Sequence, residues 1–359
     1  MRKIFAIAMA AAMMVGCGSS TKFTIKGESD KFAGKYAYLQ VEEGQELKTI
    51  DSVAVAGNAF TLAGETEAPY AAYVVVKDAG AERPEFYAEV YVEPAQITIE
   101  EVAGERPSFK AVGGAMNDAM NAVNDKLAAI EAKMGEGDNS ALEAEYYAAL
   151  YDAIIANGGN LVAQNILRNN YYAFEPQQVI DAIATIPAEA QESFANMKKS
   201  AEQALKVLPG NQYIDITEEG TGEQPQTLTP DGKVLTLKSV VENKANKYVL
   251  IDFWASWCGP CMREVPYLVD TYKKYHNKGF EIYGVSFDRA REPWLKAIEE
   301  KELDWVHVSA VNYWDNKARH DYAVNSIPAN FLVDCATGKI IAKGLRGEQV
   351  AEKIGELLK

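Results

Sequence analysis

The segment Tyr248–Trp254, YVLIDFW, is the strongest constraint on what this chain can fold into. Only Asp252 interrupts its apolar character, whereas a strand with one face in water alternates between apolar and polar residues. Such a run predicts a central strand covered on both sides, as in layered α/β sheets. Further strand-like runs follow at FEIYGVSF (280–287), WVHVSA (305–310) and ANFLVD (329–334). Helix-period stretches separate them at 259–276, 292–302 and 314–323. KIIAKGL and a closing helix with Val350, Ile354, Leu357 and Leu358 aligned complete the set. An α/β domain over 213–359 is therefore expected. It is entered through the Gly-, Pro- and acid-rich stretch 218–232, whose Pro-Asp-Gly predicts a hairpin turn into KVLTLKSVV.

The rest of the chain is organised differently. At 359 residues it exceeds the size at which one core stops growing, roughly 250–300 residues. Residues 23–104 carry short β-rich runs (YAYLQV, SVAV, AFTL, YAAYVVV, FYAEVYV and QITIE) punctuated by turn formers, which predicts an antiparallel sheet or sandwich. Residues 105–212 turn to Ala, Glu, Asn and Gln, and predict a module of four or five helices. In ALEAEYYAALYDAIIAN, Tyr146, Tyr147, Leu150, Tyr151 and Ile154 share one helical face, which reads as packed core. The fold class expected is multidomain: an N-terminal antiparallel β sheet or sandwich, a central α-helical module and a C-terminal α/β layer.

Net charge is −15, and no cluster of Lys and Arg interrupts the body of the chain, so a nucleic-acid partner is not expected. At the N-terminus Arg2 and Lys3 precede the apolar run Ile4 to Val15, which ends at Gly16-Cys17. This pattern predicts a secretory signal peptide over 1–16; the apolar run is shorter than the roughly 20 residues of a spanning helix. Met14-Val15-Gly16-Cys17 resembles a bacterial lipobox, which implies lipidation of Cys17, a membrane anchor and a tether over 17–22. Location in the cell envelope, facing the periplasm or exterior, follows as an expectation.

Of the four cysteines, Cys258 and Cys261 flank Gly259 and Pro260 directly after the apolar strand. A zinc clamp would need two more ligands, and Cys335, His276, His307 and His320 offer no paired spacing. A structural staple would close only a two-residue loop and restrain little chain entropy. A reactive dithiol fits the surroundings better. Cys258 would sit at a helix N-terminus, where unpaired N–H groups and the helix dipole favour a thiolate. Pro260 suits the first helical turn, and Cys261, expected half-buried, could attack a mixed disulfide formed on Cys258.

FWASWCGPC resembles the thioredoxin signature, and the surrounding pattern resembles the membrane-anchored thioredoxin-like reductases of the TlpA/ResA type. The resemblance implies a thioredoxin fold and a thiol-disulfide oxidoreductase, with Cys258 as nucleophile, Cys261 as resolving cysteine and no cofactor. Trp257 matches the tryptophan packed beside the active site. Asp252 matches the buried carboxylate that handles the proton of the second cysteine, and Glu264 an acid near the dithiol. Pro266 matches a helix-kinking proline. Ile327-Pro328 matches a cis-proline site whose preceding backbone pairs with substrate. Two departures stand out: Pro225-Gln226-Thr227 replaces the usual Pro-Asp-Phe entry, and Met262 replaces the lysine frequent after the second cysteine. The β module, with TIDSVAVAGNAFTL, resembles an uncharacterised domain often fused to such reductases. Cys335 matches no motif and is expected to be a buried or hairpin cysteine. The implied partners are disulfide-bearing proteins and a membrane thiol donor. The rival reading is an envelope scaffold or ligand-binding lipoprotein with an accessory redox domain; a peroxidase is disfavoured because Pro-x-x-x-Thr-x-x-Cys is absent.

Overall fold

The computed structural model describes residues 21–44, 46–104, 107–221 and 225–359. The expected signal peptide and Cys17 lie outside the described residues. The chain divides into two compact units, one ending at Ala173 and the other spanning Phe174–Lys359.

The first unit begins with eight strands: β1 (Lys22–Glu28), β2 (Tyr36–Glu43), β3 (Glu46–Ala54), β4 (Ala59–Glu65), β5 (Tyr70–Lys77), β6 (Phe86–Val92), β7 (Gln96–Val102) and β8 (Ser108–Val112). They form two sheets, ordered β4-β1-β7-β8 and β3-β2-β5-β6. All neighbours are antiparallel except β1 and β7, which run parallel. Ile25, Leu62 and Ile97 of one sheet and Leu39, Val74 and Val90 of the other belong to one buried cluster, so the two sheets share a core. Strand β8 lies beyond the expected boundary at 104. Phe109 and Ala111 are buried while Ser108 and Lys110 are not, which is the alternation of a half-covered strand.

Three helices follow, α1 (Ala115–Glu131), α2 (Ser140–Ala156) and α3 (Leu161–Asn170). Buried Asn117 ties α1 to β6: its Nδ2 donates to the Tyr91 carbonyl at 2.9 Å, and its Oδ1 accepts from the Tyr91 N–H at 2.8 Å. On α2, Leu150 and Ile154 are buried, but Tyr146, Tyr147 and Tyr151 are only half-covered, so the tyrosine stripe is the margin of the packed face.

The second unit opens with α4 (Pro176–Thr185) and α5 (Ala195–Lys206). The helical stretch expected over 105–212 is thus divided between the two units, with α1–α3 in the first and α4 and α5 in the second. Helix α6 (Leu237–Val241) occupies LKSVV, where the hairpin was expected to continue; Thr236 Oγ1 caps it by accepting from Ser239 N–H at 3.3 Å. The hairpin itself is reduced to one bridge, Leu228 to Val234. Then come β9 (Tyr248–Trp254), α7 (Gly259–Tyr275), β10 (Phe280–Ser286), α8 (Arg291–Glu300), β11 (Val306–Ser309), α9 (Lys317–Asp321), β12 (Ala329–Asp334), β13 (Lys339–Lys343) and α10 (Glu348–Leu357). The sheet order is β11-β10-β9-β12-β13. Strands β9, β10 and β11 are parallel, while β12 and β13 are antiparallel additions.

Strand β9 is central, and its positions 249–254 are all buried. Because side chains alternate, Asp252 and Trp254 share one face and Ile251 and Phe253 the other. Asp252 is flanked in register by Gly284 on β10 and Asn330 on β12. A methyl group on Gly284 would stand 2.8 Å from His307 Nδ1 and 3.2 Å from Trp254 Nε1. His307 and Trp254 are buried and packed edge-to-face with ring centroids 5.4 Å apart, so neither ring has room to yield. Gly284→Ala is therefore expected to destabilise the second unit by about 1–3 kcal/mol. A urea-unfolding midpoint equal to that of the parent chain would refute this.

Candidate active site

Cys258 and Cys261 are joined as a disulfide, and Cys258 is the N-cap of α7. Its Sγ accepts a hydrogen bond from the Cys261 N–H at 3.1 Å, the bond that an N-cap serine or aspartate would make. The α7 N-terminus, which leaves its first amides without helical partners, thus points a donor at the sulfur. The same Sγ lies 3.7 Å from the Ile327 carbonyl oxygen, and the Ile327–Pro328 peptide is cis. The two cysteines are 4% and 3% exposed, so Cys261 is fully buried rather than half-buried. It faces the sheet, whereas sequence spacing reports only that it lies one turn into the helix.

The turn before the dithiol hangs from Asp288, just past the end of β10. Its buried carboxylate accepts from the Ser256 N–H at 3.1 Å, from the Ser286 hydroxyl at 2.7 Å and from the Ser256 hydroxyl. The Asp288 carbonyl accepts from the Tyr313 N–H at 3.3 Å. Trp257 is 46% exposed; its indole N–H donates to the Phe287 carbonyl at 3.4 Å, and its ring centroid lies 5.2 Å from that of Tyr313. Arg289 covers the other ring at 3.7 Å, giving the rim beside Cys258 an aromatic and cationic character. Tyr313 and Val311 hold φ of 60° and 53°, left-handed conformations that side chains disfavour and that cluster at functional sites.

Behind the dithiol lies a cavity of about 10 Å³, lined by Asp252, Trp254, Cys261, Glu264, Trp305 and Pro328 among others. That is about the room one water molecule needs. Burial pushes the Asp252 carboxyl up to about 7; the Arg346 charge pulls it down and the Glu264 charge pushes it up. Glu264 is half-buried, and its Oε2 accepts from the Gly347 N–H at 2.7 Å. Gly259 and Pro260 form the first turn of α7, and Pro266 lies within the same helix.

The other singled-out residues stand apart. Cys335 follows β12 at the end opposite the dithiol, since Asp334 pairs with Tyr248 and Ala329 with Phe253. It is a free, half-buried thiol pushed up to about 11, mainly by burial. His307 is buried, and burial holds it down at about 3. Among the described residues no group of three His, Cys, Asp or Glu side chains is placed to hold a metal. Sequence reasoning missed Asp288 and Arg346. Asp288 follows a strand on the carboxyl edge of the sheet, where α/β sites gather, but Arg346 carries no local signal.

A family model described as thioredoxin-like matches residues 246–340, and a domain of unknown function (DUF4369) matches residues 23–120. The thiol-disulfide oxidoreductase ResA of Bacillus thuringiensis subsp. konkukian is 32% identical over 139 residues, covering 38% of this chain and 75% of the relative. The chain belongs to the ResA thiol-disulfide oxidoreductase family. ResA of Geobacillus thermodenitrificans is 32% identical over 150 residues, 41% of this chain and 83% of its own. The thioredoxin domain of a thiol-disulfide oxidoreductase from Bacteroides vulgatus aligns at 35% identity and TM-score 0.37, over 42% of this chain and 99% of that one. This ResA-type enzyme carries a C-terminal thioredoxin-like domain behind a β domain and helices.

Two outcomes follow from the buried carboxylates. A carboxyl pushed up from 3.8 to about 7 keeps its proton in the folded chain after the unfolded chain has lost it, so stability falls as pH rises between those values. Asp252→Asn is expected to raise stability by a few kcal/mol at pH 8 and to change it little near pH 4, read from urea unfolding at both. A penalty at pH 8 would contradict the assigned burial cost. Asp288→Ala strands the Ser256 and Ser286 donors, at about 1–3 kcal/mol for each group left unsatisfied. It should also slow alkylation or disulfide exchange at Cys258 in the reduced enzyme; an unchanged rate would show that the turn holds without it.

Proposed function

We propose that this oxidoreductase is a lipid-anchored, envelope-facing reductase of protein disulfides that works through Cys258-Gly259-Pro260-Cys261. The observation that carries the reading is the N-capping sulfur: Cys258 Sγ accepts the Cys261 amide and faces the backbone of Ile327. In the reduced enzyme the Cys258 thiolate, favoured by that donor, attacks one sulfur of a substrate disulfide. A mixed disulfide forms and the first substrate thiolate leaves. Cys261 gives up its proton to Asp252, directly or through the water-sized cavity between them, and attacks Cys258 Sγ. The second substrate thiol is released, and the enzyme is left oxidised by the two electrons the substrate has gained. Ile327 and Pro328 form the wall along which the substrate backbone lies, and Trp257 forms its exposed rim. Glu264 acts on the proton step through its charge rather than by touching substrate.

The reducing direction is inferred from the Gly-Pro insert, which matches thioredoxin at about −270 mV rather than a strong oxidant near about −120 mV. Renewed turnover requires a membrane thiol donor to return two electrons to the Cys258–Cys261 disulfide. The anchor rests on the Arg2-Lys3 start, the apolar Ile4 to Val15 run and Cys17.

Insulin reduction should proceed with the parent chain and fall to background in Cys258→Ser. Cys261→Ala should accumulate mixed disulfides with envelope proteins. Equal, near-zero turnover in parent and Cys258→Ser would favour the scaffold reading. A potential above about −180 mV, the isomerase value, would reverse the direction. Mass spectrometry showing an unmodified or absent Cys17 would remove the anchor.

A further inference from the structure

The segment Leu345–Gly347, between β13 and α10, is attached to the site by hydrogen bonds to Pro328, Asn330 and Glu264. Arg346 spreads its guanidinium over two carbonyls: Nη2 donates to Pro328 O at 2.5 Å and Nη1 to Leu345 O at 2.9 Å. Asn330, beside Asp252 in the sheet, exchanges two hydrogen bonds with the Leu345 backbone at 2.8 and 2.9 Å. Glu264, one turn beyond Cys261, takes the Gly347 N–H at 2.7 Å. Gly347 can present that N–H because it holds φ 51° and ψ −126°, open to glycine and scarcely to other residues.

We propose that Arg346 is a positioning residue for the resolving half-reaction: it holds the cis-proline wall in place and sets, against Glu264, the readiness of Asp252 to take the Cys261 proton. Three elements make this arrangement. Strand β9 supplies the acid, α7 supplies Cys261 and the opposing carboxylate, and the β13–α10 segment supplies the cation. Apart from Asp252, Cys261 and Glu264, the side chains lining the cavity, from Trp254, Val265, Leu268, Leu303, Trp305 and Pro328, are not ionisable, and His307, packed edge-on against Trp254 from β11, is kept neutral by burial. In so apolar a setting one charge of either sign has a large effect, because screening is weak. The guanidinium also suits the task in a way lysine does not, since its planar fork can serve two carbonyls and keep its charge at every working pH.

This inference rests on the proposed relay through Asp252, so the test separates the two. Reduced full-length enzyme is mixed with dithiobis(nitrobenzoate). Cys258 attack on its disulfide releases one nitrothiophenolate; Cys261 attack on the resulting mixed disulfide releases the second and closes the Cys258–Cys261 bond. The second phase is intramolecular, so its rate against pH reports the proton step without the reagent's own binding. Arg346→Gln should move the midpoint of that profile up and Glu264→Gln should move it down, each by on the order of one pH unit or less. Arg346→Lys should restore the midpoint but not the full rate, because the two-carbonyl bridge is lost. Midpoints that stay put, or that move the same way in both neutral variants, overturn the role of Arg346 provided Asp252→Asn flattens the profile. If Asp252→Asn leaves the profile intact, the relay fails first and takes this assignment with it.

Discussion

The hydrogen bond from the Cys261 amide to the Cys258 sulfur is the constraint on which the candidate site depends. It exists because strand β9 ends just before α7 begins, with only Ala255–Cys258 in between, so Cys258 falls at the N-cap. An amide there has no helical partner, and the side chain it meets is a sulfur that can ionise. Pro260 costs this helix start nothing, since the first turn needs no donor from it. In the proposed mechanism, the groups that touch this turn aim that sulfur and Asp252 takes the proton of its partner.

Aiming falls to groups on the carboxyl edge of the sheet. Asp288 fastens the turn through Ser256, Phe287 accepts the Trp257 indole, and the cis-proline wall closes the far side. These contacts come from three separate crossings of the sheet, each delivering a loop to the same edge. The proposed proton step falls to the face of β9 that bears Asp252. A carboxylate there is costly because Trp254, Leu268 and Trp305 wall it off from bulk solvent. That cost pushes the carboxyl up to about 7, the range that the proposed role as proton acceptor needs.

Much of this was legible in the residues. The uninterrupted apolar run told of a doubly covered strand, and its single acid stood out because so little polarity surrounds it. The β-rich runs of the first unit were visible by alternation, apart from β1 and β8. SFKAV was hidden beside Gly- and Ala-rich sequence and becomes a strand because β7 offers an edge to pair with. LKSVV has strand-like residues but forms α6, since a Thr cap and burial of Leu237, Val240 and Val241 on one side favour the helix. In both cases the surroundings, strand pairing for one and burial with a cap for the other, outweighed strand propensity read from the segment alone.

By itself, the sequence determined the local arrangement: a buried strand, a helix start and two cysteines at the spacing that lets them join as a disulfide. Those follow from period and reach along the backbone, which are properties of neighbours in the chain. Tertiary structure alone decided that Arg346 would meet Pro328, that Glu264 would cap Gly347 rather than face solvent, and that Asp288 would hold Ser256. Hydrogen bonds and charge effects act over a few ångströms of space, and residues far apart in the chain come within that range only after the sheet has assembled.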